Sequence, residues 1–247
     1  MEERIMGIPK KIHYIWIGNN PKPPIIEKCI DSWKKYMPDF EVIEWNEQNY
    51  DVTKNAYIRD AYAQKKYAYV SDYMRFDILY QYGGIYLDTD VEFLKPIPEE
   101  ILKYNAFSGM ESSGKVSPGL IYACQPGDSI ARKMMENYEN DTFDAEHLVT
   151  VNCRITKILC EKGFVEEDRF QVIDGLAIYP SEIFCGYDLD VHEIAITERT
   201  VSVHHYAASW KKKTWKAKVQ KLLKKVIGVE NYRKLLYLKR KFKQKSK

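Results

Sequence analysis

Apolar positions along the chain alternate between the two-residue period of strands and the three-to-four-residue period of helices. Residues 11–17 and 40–45 are rich in β-branched and aromatic side chains and predict strands. Residues 25–36 repeat apolar side chains at helical spacing, and residues 56–82 do so in two pieces. Strands that alternate with helices indicate an α/β sandwich around a mainly parallel sheet. Further strands are predicted at residues 106–110, 120–124, 170–173 and 200–204, and further helices at residues 128–138 and 150–161.

The segment Tyr-Gly-Gly-Ile-Tyr-Leu-Asp-Thr-Asp, residues 82–90, ends the longest predicted helix and begins a short apolar strand. Asp88 and Asp90 point to the same side if the strand continues that far. Two like charges side by side repel each other, and a bound cation relieves the repulsion. Carboxylates suit Mn²⁺ or Mg²⁺, and Mg²⁺ often joins carboxylates to substrate phosphates. The pair predicts metal-assisted chemistry on a phosphate-bearing substrate, although an isolated Asp-x-Asp is also common in solvated turns.

Asp72 and Arg75 lie three residues apart on the preceding predicted helix and share one of its faces. As a surface ion pair they would contribute little. Near Asp88 and Asp90, the same pair could hold sugar hydroxyls and a phosphate, to which the planar fork of a guanidinium is suited. We expect this second role, because ligands of α/β sheets bind where strands end.

Aromatic and imidazole groups stand at two other predicted strand ends. Trp16 precedes Gly18; a tryptophan in a strand is commonly a core residue, but at a strand end it can also stack on a nucleobase. His204 and His205 are neighbours and point to opposite faces of a strand. One of them could complete a metal shell begun by carboxylates. The sequence leaves open which one does so, or whether both are structural.

Charge divides the chain into two regions. Residues 211–247 hold sixteen Lys or Arg and one acid, whereas residues 1–210 hold 22 bases and 34 acids. Apolar residues at helical spacing in the basic region predict an amphipathic helix that binds an anionic membrane surface. A helix packed on the body and a nucleic-acid patch are the alternatives. We therefore predict a catalytic domain over residues 1–210 and a basic helical tail over residues 211–247.

Composition narrows the class of protein further. Hydrophobic residues make up 45% of the chain and charged residues 30%, as in ordinary globular proteins. Nineteen tyrosines mildly favour carbohydrate or nucleotide binding. Five scattered cysteines without Cys-x-x-Cys fit reduced thiols better than disulfides or zinc. Neither a signal peptide nor a membrane span is expected, so the predicted location is cytoplasmic, peripheral on the inner face of the cell membrane.

Three segments resemble glycosyltransferase family 32, the sugar transferases with a DXD motif that include yeast initiating mannosyltransferases and many bacterial capsule and surface-polysaccharide enzymes. The segments are Ile-Pro-Lys-Lys-Ile-His-Tyr-Ile-Trp-Ile-Gly, Ala-Tyr-Val-Ser-Asp-Tyr-Met-Arg-Phe-Asp-Ile-Leu-Tyr-Gln-Tyr-Gly-Gly-Ile-Tyr-Leu-Asp-Thr-Asp and His-His-Tyr-Ala-Ala-Ser-Trp. The similarity extends over residues 8–210. It implies a GT-A fold, which is a Rossmann-like mixed, mainly parallel sheet flanked by helices. It also implies a nucleotide-sugar donor, Mn²⁺ or Mg²⁺, and retention of anomeric configuration.

The resemblance also implies contacts with the nucleotide part of the donor. Trp16 would stack on the base, and Ile15 and Tyr86 would lie against the nucleotide. Ser209 and Trp210 would lie near the diphosphate.

For the donor sugar and the metal, the resemblance implies that Asp72 and Arg75 hold the sugar and that Asp88 contacts the sugar or the ribose. Asp90 would bind the metal, with His205, or His204, beside it. Residues 151–156 look like the family's Gly-Pro-containing segment near the reaction centre, and Asn152 stands there with a cysteine in place of Gly-Pro. We count Asn152 among the catalytic candidates.

The predicted function is metal-dependent, retaining transfer of a hexose or N-acetylhexosamine in surface-polysaccharide synthesis. The donor is a nucleotide sugar, with a UDP-sugar favoured over GDP-mannose, and the acceptor is a glycan or lipid-linked saccharide. No nucleic-acid partner is expected. The alternatives are a host-modifying, toxin-like glycosyltransferase, which shares the tryptophan, the Asp-x-x-Arg and the DXD motif, and a non-enzymatic protein that binds an anionic membrane surface.

Overall fold

The structure is a computed structural model that describes residues 7–207, 224–229 and 231–232. The helices within residues 7–207 are α1 (Pro24–Tyr36), α2 (Ala56–Ala63), α3 (Tyr67–Tyr82), α4 (Glu99–Leu102), α5 (Ser129–Glu139), α6 (Val151–Cys160) and α7 (Ser181–Phe184). The strands are β1 (Lys11–Ile15), β2 (Glu41–Trp45), β3 (Gly84–Tyr86), β4 (Val91–Phe93), β5 (Ala106–Gly109), β6 (Tyr122–Cys124), β7 (Gln171–Ile173), β8 (Leu176–Tyr179), β9 (Tyr187–Asp188), β10 (Glu193–Ile194) and β11 (Ser202–His204). None of the described helices is long and apolar enough to cross a membrane.

Seven strands form the central sheet in the order β2-β1-β3-β6-β5-β8-β7. β1 is parallel to both β2 and β3, and β5 is parallel to β8. β6 and β7 run antiparallel to their neighbours, so five of the seven strands share one direction. The predicted α/β architecture with a mixed, mainly parallel sheet, the type implied by the GT-A resemblance, is confirmed.

Hydrophobic cores fill both faces of this sheet, because successive strand residues point to opposite sides. In β3, Ile85 packs into one core together with Trp33 of α1. The next residue, Tyr86, packs into the other core together with Phe76 of α3 and Tyr138 of α5. The side chain at the end of β3 therefore faces α3, the helix that carries the Asp-x-x-Arg pair.

A buried histidine connects β1 with the glycine turn that enters β3. His13 accepts a hydrogen bond at Nδ1 from Trp45 Nε1 (3.1 Å), so its Nε2 carries the proton and donates to the Gly83 carbonyl (2.9 Å). Gly84 has φ +99°, and a Cβ there would lie 2.8 Å from the Lys11 carbonyl oxygen. Burial lowers the pKa of His13 to about 4. The neutral imidazole and the two glycines thus hold the start of β3 against β1.

One predicted element pairs differently from what a single sheet would require, and another divides as expected. The predicted strand at residues 200–204 forms as β11, but it pairs with β4 in a separate two-stranded sheet and not with the central sheet. The helical run at residues 56–82 is divided into α2 and α3, as predicted, at Lys65, which has φ +56°. The β4–β11 ribbon brings residues 204–207 next to the acidic segment that contains Asp88 and Asp90.

Candidate functional site

The acidic segment between β3 and β4 is a turn, because the Val91 N–H donates to the Asp88 carbonyl at 3.1 Å. The strand therefore does not continue through this segment, and the two carboxylates have different surroundings. Asp88 Oδ1 accepts a hydrogen bond from the Tyr86 hydroxyl at 2.9 Å and lies 3.3 Å from Arg75 Nη1. Asp90 instead contacts His204. The pair is thus split between a guanidinium on one side and an imidazole on the other.

The Asp-x-x-Arg pair of α3 is buried. Arg75 is 3% exposed, and its Nη2 donates to Asp72 Oδ1 at 2.7 Å. The guanidinium carbon lies 4.7 Å from the centre of the Tyr86 ring, while Nη1 makes no hydrogen bond. Burial outweighs the nearby guanidinium and raises the pKa of Asp72 to about 6. Arg75 therefore links Asp72 to Asp88 inside the protein, which excludes an exposed ion pair.

Asp90 is held by His204 and Ala207, which lie in and just after β11. Its Oδ1 lies 2.9 Å from His204 Nε2, and its Oδ2 accepts a hydrogen bond from the Ala207 N–H at 2.8 Å. Burial acts to raise the pKa of Asp90, but His204 and these hydrogen bonds outweigh it and hold the pKa below its usual range. Burial likewise acts to lower the pKa of His204, and Asp90 outweighs it and raises that pKa. Asp90 is therefore ionised at neutral pH.

The neighbouring imidazole faces a different acid. His205 Nε2 lies 2.7 Å from Glu92 Oε2, and Glu92 also forms an ion pair with Lys28 at 2.8 Å. Only the backbone N–H of His205 reaches Asp90, donating to its carbonyl oxygen at 3.0 Å. Between the two histidines that the sequence left open, the structure thus brings the side chain of His204 to Asp90. Metal binding by either histidine stays a prediction.

The donor set beside Asp90 fits a metal that arrives with a phosphate-bearing ligand. Over the ranges that the structure describes, no three His, Cys, Asp or Glu side chains are grouped so as to hold a metal ion alone. Asp90 is nevertheless an ionised carboxylate, and His204 has a buried Nδ1 without a hydrogen-bond partner. Mg²⁺ commonly takes one or two carboxylates and completes its shell with water and substrate phosphates. Asp90 supplies the carboxylate of such a site, and His204 would become a second ligand only after its Nε2 gives up the contact with Asp90 Oδ1.

The residues predicted to contact the nucleotide lie at the ends of the neighbouring strands β1 and β3. Trp16 is half-buried, and its Nε1 donates to the Asn20 carbonyl at 2.7 Å. Ile15 is 7% exposed and belongs to the core, so only its backbone could meet a nucleotide. Tyr86 is 2% exposed and its hydroxyl is directed to Asp88, so any effect on a ligand would pass through that carboxylate. These nucleotide contacts stay predictions.

Both predicted diphosphate contacts, Ser209 and Trp210, lie outside the described residues, as does most of the predicted tail. Asn152 stands in the first turn of α6, and its Nδ2 donates to Ser117 Oγ at 3.2 Å. Ser117 belongs to the β5–β6 loop, in which the Gly119 carbonyl accepts the Asp88 N–H at 2.8 Å. Sequence reasoning missed this loop, because Ser-Pro-Gly signals a turn without indicating what the turn contacts.

Comparison with known proteins adds the family. Residues 23–108 match the family model described as "Glycosyltransferase sugar-binding region containing DXD motif". "Subversion of eukaryotic traffic protein A" of Legionella pneumophila is 26% identical over 175 residues, which is 57% of this chain and 27% of that protein. "Inositol phosphoceramide mannosyltransferase 3" of Schizosaccharomyces pombe is 32% identical over 118 residues, 45% of this chain and 32% of that protein.

A human protein and a solved structure are similar as well. Human "Alpha-1,4-N-acetylglucosaminyltransferase" is 30% identical over 156 residues, 61% of this chain and 41% of that protein. The chain thus spans between 27% and 41% of the length of these curated relatives. The solved "PaToxG Glycosyltransferase" is similar with a TM-score of 0.47 and 23% identity, over 63% of this chain and 69% of that one. Residues 23–108 thus match the DXD-motif glycosyltransferase family, and this match confirms the resemblance recognised in the sequence.

Proposed function

We propose that the chain is a metal-dependent glycosyltransferase that moves a hexose or an N-acetylhexosamine from a nucleotide sugar, with a UDP-sugar favoured over GDP-mannose. The observation that carries this proposal is the division of the DXD pair. Asp88 faces the buried Asp72–Arg75 pair, whereas Asp90 is an ionised carboxylate beside His204. This division supports the assignment of Asp88 to the sugar or ribose and of Asp90 to the cation. The names of two relatives, a mannosyltransferase and an N-acetylglucosaminyltransferase, support the class of sugar.

Asp90 and His204 would hold Mn²⁺ or Mg²⁺ together with the donor diphosphate. The chemistry that a metal would supply there is neutralisation of the negative charge of the diphosphate leaving group. The protein's own contribution is to keep Asp90 charged, since the Ala207 N–H and His204 both favour the ionised carboxylate.

Positioning of the donor sugar would fall to the buried pair. The fork of Arg75 is held by Asp72 and by the Ser71 carbonyl, which accepts from Nε at 3.1 Å, so it does not have to be ordered when a ligand binds. Preformed polar groups of this kind would hold the donor sugar so that the acceptor hydroxyl meets the anomeric carbon in reactive geometry. We further propose retention of configuration by same-face attack of the acceptor hydroxyl, aided by the leaving phosphate, as the family resemblance implies.

The acceptor that we propose is a glycan or lipid-linked saccharide of surface-polysaccharide synthesis. The sixteen basic residues within residues 211–247 support an anionic membrane surface as the partner that brings the chain to a lipid-linked acceptor. The proposed location is accordingly cytoplasmic, at the inner face of the membrane. Deleting residues 211–247 should abolish cosedimentation with vesicles that contain phosphatidylserine and leave donor hydrolysis intact. Loss of both properties, or of neither, would contradict the assignment of membrane binding to residues 211–247 and of donor hydrolysis to the rest of the chain.

Donor turnover tests the central proposal. The protein is incubated with Mn²⁺ and, in turn, UDP-glucose, UDP-galactose, their N-acetyl forms and GDP-mannose, and release of nucleoside diphosphate is measured. Asp90→Asn should abolish release, whereas Asp31→Asn, a matched change on the exposed face of α1, should leave it unchanged. Full turnover by Asp90→Asn would remove the metal assignment, and no turnover with any donor would contradict the proposed reaction.

A second candidate is a toxin-like glycosyltransferase that modifies a host protein. It is favoured by the 26% identity to "Subversion of eukaryotic traffic protein A" over 57% of this chain. Transfer of labelled sugar separates the two candidates once a donor is known. Label that enters protein bands of a eukaryotic extract supports the second candidate, whereas label that enters only an organic-extractable or oligosaccharide fraction supports the first.

A further inference from the structure

The β5–β6 loop passes over the Asp88 carboxylate at a glycine. A Cβ on Gly119 would lie 2.0 Å from Asp88 Oδ2 and 3.1 Å from Arg75 Nη1. A separation of 2.0 Å is far inside van der Waals contact, so a side chain at this position would have to displace the carboxylate. Gly119 is not among the residues with positive φ. Glycine at this position therefore leaves room for the carboxylate where it now lies, and backbone conformation does not call for it.

The loop is held in this position by α6. Thr156 Oγ1 accepts the Val116 N–H at 3.1 Å, and Asn152 Nδ2 donates to Ser117 Oγ at 3.2 Å. Thr156 is 2% exposed and Ser117 is 4% exposed. Buried hydrogen bonds of this kind are costly to break, because the freed polar groups find no water. The loop thus forms a fixed wall beside the carboxylate.

We propose that Gly119 is a positioning residue of the DXD site. The Asp88 side chain is 31% exposed and could otherwise turn towards solvent. Its carboxylate is directed by the Tyr86 hydroxyl and by Arg75, and the Gly119 backbone closes the space behind Oδ2 while accepting the Asp88 N–H. A methyl group at position 119 pushes the carboxylate away from Arg75, whose Nη1 then loses its anionic neighbour.

The effect of this placement on a nucleotide sugar rests on the function proposed above, whereas the packing itself does not. The first experiment therefore uses no ligand. Gly119→Ala should lower the thermal midpoint by about 5 °C, as expected for overpacking in a domain of this size. In an Asp88→Ala background, which removes the obstructing carboxylate, the same substitution should lower the midpoint by less than about 1 °C.

Gly109→Ala is the matched control. Gly109 lies in β5 without positive φ, and its added Cβ would lie 3.1 Å from Phe184 Cβ, so it also crowds its surroundings but at a core side chain. Its effect on the midpoint should be the same with and without the Asp88 carboxylate. Equal destabilisation by Gly119→Ala in both backgrounds would overturn the proposal, since the cost would then come from the loop. If Gly119→Ala alone does not fold, recovery of folding in the Asp88→Ala background supports it.

A second readout separates positioning from simple stability. With Mn²⁺ and the best donor from the turnover screen, Gly119→Ala should weaken donor affinity about tenfold, equivalent to about 1.4 kcal/mol, while Gly109→Ala should leave it unchanged. If the effect of Gly119→Ala on the thermal midpoint depends on the Asp88 carboxylate but donor affinity is unchanged, the positioning role is overturned. If no nucleotide sugar binds the wild-type protein, the proposed function fails. The comparison of thermal midpoints still tests whether Gly119 packs against the Asp88 carboxylate.

Discussion

Arg75 is the residue whose replacement tests the electrostatics of the site most directly. Its side chain is 3% exposed, and it contacts Asp72, whose side chain is 10% exposed, and Asp88, whose side chain is 31% exposed. Arg75→Met removes the positive charge and keeps a long apolar stem among the aromatic residues. The two carboxylates then lose the cation that they share, Arg154 is the cation that still acts on Asp72, and Asp72 lies in the interior.

The expected loss is large because a buried charge is left without its partner. Removing one member of a buried ion pair costs about 3–5 kcal/mol. For a domain of this size each kcal/mol lowers the thermal midpoint by about 2–4 °C, so the total decrease is about 6–20 °C. Arg75→Lys keeps the charge but loses the planar fork, and it should lie between the wild type and Arg75→Met.

The loss should depend on pH, with a sign that follows from Asp72. Burial raises the pKa of Asp72 to about 6 in the folded state, above its value of 3.8 in the unfolded chain. The folded state therefore favours the protonated acid, and this contribution is full below about pH 4 and lost as pH rises through about 6. Without Arg75, which acts to lower this pKa, the loss extends to higher pH. The variant should be close to the wild type at pH 5 and far below it at pH 8.

A second substitution in the Arg75→Met variant shows which carboxylate causes the loss of stability. Thermal unfolding at pH 5 and pH 8 measures that loss. Asp72→Asn in the Arg75→Met background should recover most of the midpoint at pH 8, because it removes the charge that water cannot reach. Asp88→Asn should recover less, since a third of that side chain is hydrated. Equal stability of Arg75→Met and the wild type at pH 8, or better recovery with Asp88→Asn, would refute this reasoning.

Three further predictions concern groups around the same site. Burial lowers the pKa of His13 to about 4, so its contribution to stability is present above pH 6.5 and lost as pH falls through 4. It amounts to a loss of about 2 kcal/mol at pH 5, and urea unfolding of His13→Gln should show a weaker decrease between pH 7 and pH 5 than the wild type. His204→Ala should weaken the Mn²⁺-dependent affinity for nucleotide about tenfold or more, and His205→Ala less than about threefold, as measured by thermal-shift titration; the reverse order would contradict the assignment. Tyr86→Phe removes the hydroxyl that reaches the carboxylate and keeps the ring against the guanidinium, so urea unfolding should show a loss of about 0.5–1.5 kcal/mol, and no loss would mean that the hydroxyl does not orient the carboxylate.

Local periodicity was sufficient for most of the elements. The aromatic and β-branched run at residues 11–17 became β1, and the helical spacing at residues 25–36 became α1, because one buried face is enough to select the period. Pairing was not predictable in the same way. The strand at residues 200–204 forms, but it pairs with β4 outside the central sheet, and no local pattern encodes a partner more than a hundred residues away.

The sequence by itself determined which chemical groups are present and which are near neighbours: the Asp72–Arg75 pair on one helical face, the Asp88–Asp90 segment at the end of a strand, and the two adjacent histidines. Only the tertiary structure decided how they are used. It buries the arginine, divides the two aspartates between different partners, and selects His204 across 114 residues of chain. It also places Gly119 against a carboxylate. The physical reason is that spacing along the chain defines a face, whereas burial and steric fit depend on what the rest of the chain packs against that face.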